Sequence, residues 1–429
     1  MPAIDVLLQQ REKDGNPIRV GIVGAGFAAR GFALQVLTAL PGMRLVAIAN
    51  RTLSYGRMAY EDAGISNFVQ VGTKEEFAKA AFEKKYILTN NPFLLTDSGD
   101  IDVIVEITGT VEYGARVVLR AIENGKHVVH VNAELDGTLG PILKHYADKQ
   151  GVIYTQADGD QPAVLMNLFR EVQMLGFKPV LVGNIKSLLD PYRTPDTQKK
   201  WAEEHFQRPK MVTSFADGTK ISYEMVTIAN GVGFPVGKRG MYGPSCKHVD
   251  EAHTLFNVDE LTKTGLTDYI LGAEPSFGVF VLATNDQPTR ARYMNVYKMG
   301  DGPLYTFYRA FHLGPLEAPQ SVARAVLLHD VTLAPKYGIV CEVITLAKKN
   351  LKKGDVLDGI GGFATYGMIE NFKTARRENL LPMGLSDLAI VKRDIAKDEA
   401  ITFDDVDLLE DSVAVRLWKE QLVLFGGGK

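Results

Sequence analysis

Four polar clusters in this sequence carry side chains able to do acid–base or anion-binding chemistry. HVNAELDGTLG contains His130, Asn132, Glu134 and Asp136, and QADGDQP adds Asp158, Asp160 and Gln161. Carboxylates at this density can hold a divalent cation such as Mg or Mn, or substrate hydroxyls, so Glu134, Asp158 and Asp160 are the candidate metal ligands. GNIKSLLDPYRTPDT supplies Lys186, Tyr192, Arg193 and Thr194, and TSFADGTKISYEMVTIANGVG supplies Asp217, Lys220, Glu224 and Asn230. A guanidinium or ammonium beside hydroxyls suits a phosphate, which assigns Tyr192, Arg193, Thr194 and Lys220 to substrate binding, with Asp217 and Asn230 beside them. Lys186 with Glu224 or Asp217 would move protons, a task that requires burial to lower the lysine pKa. The candidate catalytic set is Lys186, Glu134, Asp160 and Glu224. Plainer readings compete: ADGDQP and ADGTK contain the usual turn formers, Glu134 and Asp136 are placed as helix-starting acids, and Lys220 with Glu224 fits a helix surface pair. No nucleophile elbow, HExxH or Walker loop is present, and Cys246 and Cys341 lack a convincing catalytic partner.

Two of these clusters follow apolar runs that must be strands. IRVGIVGAG, RLVAIAN, IDVIVEITG, KHVVHVN and GVIYTQAD are short apolar runs separated by helix-like stretches, the pattern of a doubly wound parallel sheet. The first run ends in GAGFAARG. Gly24 permits the tight turn, Gly26 lets the backbone approach a pyrophosphate, and Ala29 takes the third, packing position at the start of a helix. The second run ends in Asn50 and Arg51 rather than an acidic residue, which suits the 2′-phosphate of NADP better than the free ribose of NAD. Thr108 and Gly109 in EITGT are small enough for the chain to pass near the nicotinamide ribose. The expected cofactor is NADP(H), held by Gly24, Gly26, Phe27, Ala28, Asn50, Arg51, Thr108 and Gly109.

The 429 residues allow two to four domains at roughly 150 residues each. A net charge of −3 gives no footprint for nucleic acid or an anionic membrane, no apolar run is long enough to span a bilayer, and two cysteines make no disulfide framework. A soluble cytoplasmic protein with a small-molecule partner is expected. The expected architecture is an α/β Rossmann domain over residues 1–156, an α+β catalytic domain over 157–340 and a small β-rich domain over 341–429. In the last of these, AKKNLKKGDVL repeats as IVKRDIAKDEAI at an offset of 44, pairing Lys348 with Lys392, Asn350 with Asp394, Leu351 with Ile395 and Asp355 with Glu399.

EITGT followed by ENGKHVVHVNAE resembles the cofactor domain of homoserine dehydrogenase, although Ala133 and Glu134 stand where those enzymes have a lysine directly after the asparagine. The C-terminal repeat resembles a SAF domain. Across most of the chain, ADGDQP, NIKSLLDPYRTPDT, TSFADGTKISYEM, YRAFHLGPLEAPQS and AKKNLKKGDVLDGIGGFATYGMIE resemble the 1-deoxy-D-xylulose 5-phosphate reductoisomerase-like family. That resemblance implies a dimeric NADPH-dependent reductoisomerase converting 1-deoxy-D-xylulose 5-phosphate to 2-C-methyl-D-erythritol 4-phosphate. Two other readings stay open: an NADPH reductase of another sugar-derived aldehyde, hydroxy acid or semialdehyde without rearrangement, and a non-catalytic NADP-binding sensor.

Overall fold

The computed structural model describes residues 4–426, which fold as two compact units. The first comprises the chain through Asp160 with Leu313–Ala334 and Arg416–Leu424; the second comprises Gln161–His312 and Pro335–Val415.

The first unit contains seven strands: β1 (Ile18–Val23), β2 (Met43–Ala49), β3 (Phe68–Gln70), β4 (Tyr86–Thr89), β5 (Val103–Glu106), β6 (His127–His130) and β7 (Tyr154–Gln156). All pair in parallel in the order β3-β4-β2-β1-β5-β6-β7. Val20, Ile22, Leu45, Val103, Val105 and Val129 are fully enclosed, as side chains of a sheet covered by helices on both faces must be. This is a Rossmann-like α/β fold. Two strands escape the sequence pattern because FVQ and YILT are only three and four residues long, too short to establish a period. EITGT therefore closes the fifth strand and HVN the sixth. The strand order reverses between β1 and β5, the switch point at whose carboxyl edge open α/β sheets bind ligands.

The second unit is built on a sheet of β8 (Lys178–Lys186), β9 (Leu266–Leu271), β10 (Val279–Thr284) and β11 (Leu304–Arg309), ordered β11-β10-β8-β9 with only β8 and β9 parallel. The helix Thr219–Val232 packs on β8 and also on the antiparallel ribbon β12 (Cys341–Ala347) and β13 (Thr365–Asn371). Every residue of that helix is buried, including Lys220, Glu224 and Asn230, so its polar groups must be satisfied inside the protein.

The 44-residue repeat is a structural duplication. Leu351 and Ile395 exchange both backbone hydrogen bonds, at 2.9 and 3.0 Å. Asn350 accepts from the Lys397 N–H at 2.8 Å, and its counterpart Asp394 accepts from the Lys353 N–H at 3.1 Å. Asp355 caps the Lys352 N–H, and Glu399 caps the Ala396 N–H. Each copy so completes the other across a local twofold. Among the described residues no helix is long and apolar enough to cross a membrane.

Candidate functional site

At the carboxyl edge of the first unit, Gly24 adopts φ +115°, and a Cβ there would lie 2.4 Å from the Ile107 carbonyl oxygen. No side chain fits. Gly26 has the opposite character: a Cβ would meet nothing within 4 Å, leaving open space beside the turn. Gly26 is also the N-cap of the helix Phe27–Thr38, which starts two residues before the expected Ala29 and places its unpaired N–H groups at this turn. Ala29 is buried while Phe27 is exposed. The residues fit a dinucleotide: a tight glycine turn, an uncovered backbone cradle and a helix N-terminus.

Asn50 donates to the Thr52 carbonyl at 2.7 Å, fixing the bend after β2, and Arg51 is exposed without a carboxylate partner among the described residues. Thr108 and Gly109 follow β5, with Gly109 at φ +66°. Their loop is tied to Glu106, which accepts from the Thr108 N–H at 2.9 Å, from the Thr108 hydroxyl and from Asn132 Nδ2 at 2.8 Å. Burial pushes the Glu106 carboxyl up to about 7, with the Thr108 and Asn132 hydrogen bonds opposing and Glu134 adding to the rise. Between about pH 5 and 7 the folded chain therefore holds a proton that the unfolded chain has released, so this group's stabilising contribution falls as pH rises through that window. Glu106→Gln should flatten the fall in Tm measured from about pH 5 to 8; an unchanged slope would remove Glu106 from that role.

Glu134 and Asp136 lie in the first turn of the buried helix Ala133–Gln150, whose N-cap Asn132 accepts from the Leu135 N–H at 3.0 Å. The plainer reading of these two acids as helix starters is thus realised. Asp158 is paired with Arg324 at 3.1 Å, and Ser321 donates to it at 3.3 Å, which ties the end of the sheet to the helix Pro319–Leu328. Asp160 accepts from Gln156 Nε2. The expected metal set Glu134, Asp158 and Asp160 does not converge: among the described residues no three His, Cys, Asp or Glu side chains gather as ligands. Asp158 is instead engaged with the Arg324 guanidinium.

In the second unit, Lys186 ends β8, and Asn184, two residues earlier, shares its face. Asn184 donates to Gln161 Oε1 at 2.8 Å and to Glu224 at 3.2 Å, while Gln161 Nε2 donates back to Asn184 Oδ1 at 3.1 Å. Burial holds the Lys186 ammonium below the ordinary lysine range; Glu224 opposes this, Lys220 adds to it and Asp217 opposes it. Lys186, Glu224 and Lys220 therefore form one electrostatically coupled group, with Lys220 and Glu224 one turn apart on the helix Thr219–Val232. The competing reading of Lys220 and Glu224 as a helix surface pair does not hold, since both are buried.

The remaining substrate candidates are committed to structure. Tyr192 donates to Asp398 at 2.9 Å and lies under the Lys397 ammonium, Arg193 pairs with Asp190 at 2.9 Å, and Thr194 caps the helix Pro195–Glu204. Asn230 accepts from the Val340 and Cys341 N–H groups at 2.8 and 3.0 Å, which occupies its carbonyl with the entry into β12. Asp217 is enclosed and paired with Lys348 at 2.8 Å. Lys348 also donates to the Arg193 and Gly362 carbonyls, each at 2.8 Å, so its three protons join three segments. Sequence reasoning passed over Lys348 and Asn184. The signal for Asn184 was a second polar residue in step with Lys186 on an otherwise apolar strand; Lys348 looked like any lysine of a polar repeat. The cysteines offer no thiolate, since burial raises both and pushes Cys341 up to about 12.

Residues 20–155 match the NAD binding domain of homoserine dehydrogenase, and residues 159–318 match the catalytic domain of oxidoreductase DRL. Homoserine dehydrogenase of Neisseria gonorrhoeae is 30% identical over 143 residues, 32% of this chain and 28% of that protein. The enzyme of Methylobacillus glycogenes is 31% identical over 120 residues, 28% of this chain and 26% of that protein. This chain thus spans under a third of the length of these relatives. Among solved structures, a homoserine dehydrogenase from Thiobacillus denitrificans aligns with 90% of this chain and 97% of its own at 14% identity and a TM-score of 0.44. A DOX-P reductoisomerase solved with fosmidomycin and magnesium aligns with 48% of this chain and 56% of its own, at 14% identity and a TM-score of 0.34.

Proposed function

We propose that the protein is an NADPH-dependent reductoisomerase of 1-deoxy-D-xylulose 5-phosphate, acting as a homodimer. The observation that carries the chemistry is the group formed by the partly buried Lys186 with the buried Glu224 and Lys220, in a region that matches the catalytic domain of oxidoreductase DRL. NADPH, when bound, supplies a hydride. Reduction of an aldehyde to an alcohol also requires one proton on oxygen, and the Lys186 ammonium, made more acidic by burial, is the donor. Before reduction one carbon–carbon bond breaks and another forms; Glu224 accepts the hydroxyl proton released as the first bond opens and returns it to the alkoxide formed as the second bond closes, and Lys220 stabilises the enolate oxygen and the nearby phosphate. The Asn184 and Gln161 amides hold Glu224 in place. No step is routed through a metal, because the acidic residues proposed as its ligands do not converge.

The preference for NADP rests on Arg51, which is exposed beside Asn50 and carries no competing carboxylate among the described residues. Arg51→Asp should lower kcat/KM with NADPH by about tenfold or more relative to NADH, the scale of removing one charge-assisted hydrogen bond and placing a like charge beside the 2′-phosphate; an unchanged ratio would contradict the NADP reading. The activity itself is tested by NADPH oxidation with 1-deoxy-D-xylulose 5-phosphate beside a panel of phosphorylated aldehydes. Turnover confined to aldehydes needing no rearrangement would favour a plain reductase, and tight NADP binding with no turnover a sensor.

A further inference from the structure

The first unit has a concave surface at the end of its sheet opposite the glycine turn. A cavity of about 550 Å³ is lined by Arg11, Arg19, Asp102, Lys126 and His127, among others. These residues cluster where β1, β5 and β6 begin, whereas the glycine turn follows the end of β1. Arg19 is spent: its guanidinium bonds both Asp102 oxygens and the Gly99 carbonyl. Arg11 and Lys126 are not. Arg11 reaches only the Asn16 carbonyl, at 3.4 Å, and Lys126 has no carboxylate partner among the described residues although it is half-buried. Burial holds Lys126 below the ordinary lysine range, Asp102 opposes this, and Arg19 adds to it, so a bound anion would relieve the cost of keeping that ammonium partly out of water. His127 Nδ1 accepts from the Ile153 N–H at 3.0 Å, which leaves Nε2 as the protonated nitrogen and a neutral donor.

We infer that this cavity binds a small phosphate-bearing anion, with Lys126 and Arg11 as its charged contacts, at a site separate from the cofactor edge. The partly desolvated lysine provides a point charge and the arginine a planar fork, the pair of donors that phosphate oxygens take. The test is calorimetric titration of the full chain, saturated with NADP so that cofactor phosphate positions are filled, using inorganic phosphate in one arm and glucose 6-phosphate in the other. Saturable binding is expected, weakened about tenfold in Lys126→Met and several-fold in Arg11→Met, the effect of removing one charge-assisted hydrogen bond each. NADP affinity and thermal unfolding should match wild type in both variants. Tighter binding of glucose 6-phosphate would identify an ester as the ligand, and equal binding free phosphate. Absence of binding in both arms, or undiminished binding in the two variants, would overturn the site.

Discussion

Replacing Lys186 by Met should lower the turnover number by about 10²–10⁴ while leaving the NADP dissociation constant unchanged, the scale of removing a positioned proton donor. The expectation follows from position: Lys186 ends β8 on the face that carries Asn184, burial holds its ammonium below the ordinary lysine range, and Glu224 and Lys220 are the largest charged influences on it. Lys186→Arg provides the sharper contrast. It keeps the charge but removes the capacity to release a proton near neutral pH, so it should fail almost as badly as Met. The wild-type profile of kcat should fall on the alkaline side at a pH below the ordinary lysine range, as Lys186 loses its proton, and this limb should vanish in Lys186→Met. Single-turnover rates near wild type in both variants would show that another group supplies the proton.

Lys348→Met is expected to be the most destabilising single change in the second unit, at about 3–5 kcal/mol. The substitution strands the Asp217 carboxylate, which burial already pushes above its ordinary range and which Lys348, by charge and hydrogen bond, does most to hold down, with Thr219 assisting. It also frees the Arg193 and Gly362 carbonyls. Because Asp217 accepts from the Thr219 N–H at 2.9 Å, the loss is transmitted to the first turn of the helix carrying Lys220 and Glu224. The double variant Lys348→Met with Asp217→Asn should recover part of the loss in urea unfolding, since no buried charge is then unpaired. Equal losses in the single and double variants would show that the pair is not coupled.

The duplicated segment shows how one module can diverge in use. Lys348 and Lys392 are equivalent by the 44-residue offset, yet Lys348 is enclosed against Asp217 whereas Lys392 lies near the surface, 3.7 Å from Asp407. Lys348 so joins its copy to Asp217, two residues before the helix Thr219–Val232.

The cofactor half was legible because its signal is local. A strand, a glycine turn and a helix occur consecutively, and Gly24 and Gly26 are explained by geometry within a short reach of the turn itself. The proposed acid–base group was legible in part: Lys186 and Glu224 stood out as residue types, but only the fold shows that the helix bearing Glu224 is buried on all sides. Polar residues in turns carry structural duties that residue type and spacing do not reveal. Thr194, Asn230, Asp158 and Arg193 are equally needed to cap helices, satisfy strand N–H groups and neutralise buried charge, and nothing in their spacing separates those duties from binding. Lys348 could not be found at all, since its partners Asp217, Arg193 and Gly362 are distant in sequence or lie beyond a turn of no distinctive composition.

The reductoisomerase reading is tested most directly by following carbon connectivity. 1-deoxy-D-xylulose 5-phosphate labelled with ¹³C at its third and fourth carbons should be incubated with the protein and NADPH, and the product examined by NMR. Rearrangement breaks the bond between the labelled carbons, so their one-bond coupling should disappear as NADPH is oxidised. NADPH oxidation with that coupling intact in the product would contradict the account and leave a reductase that never touches the carbon skeleton.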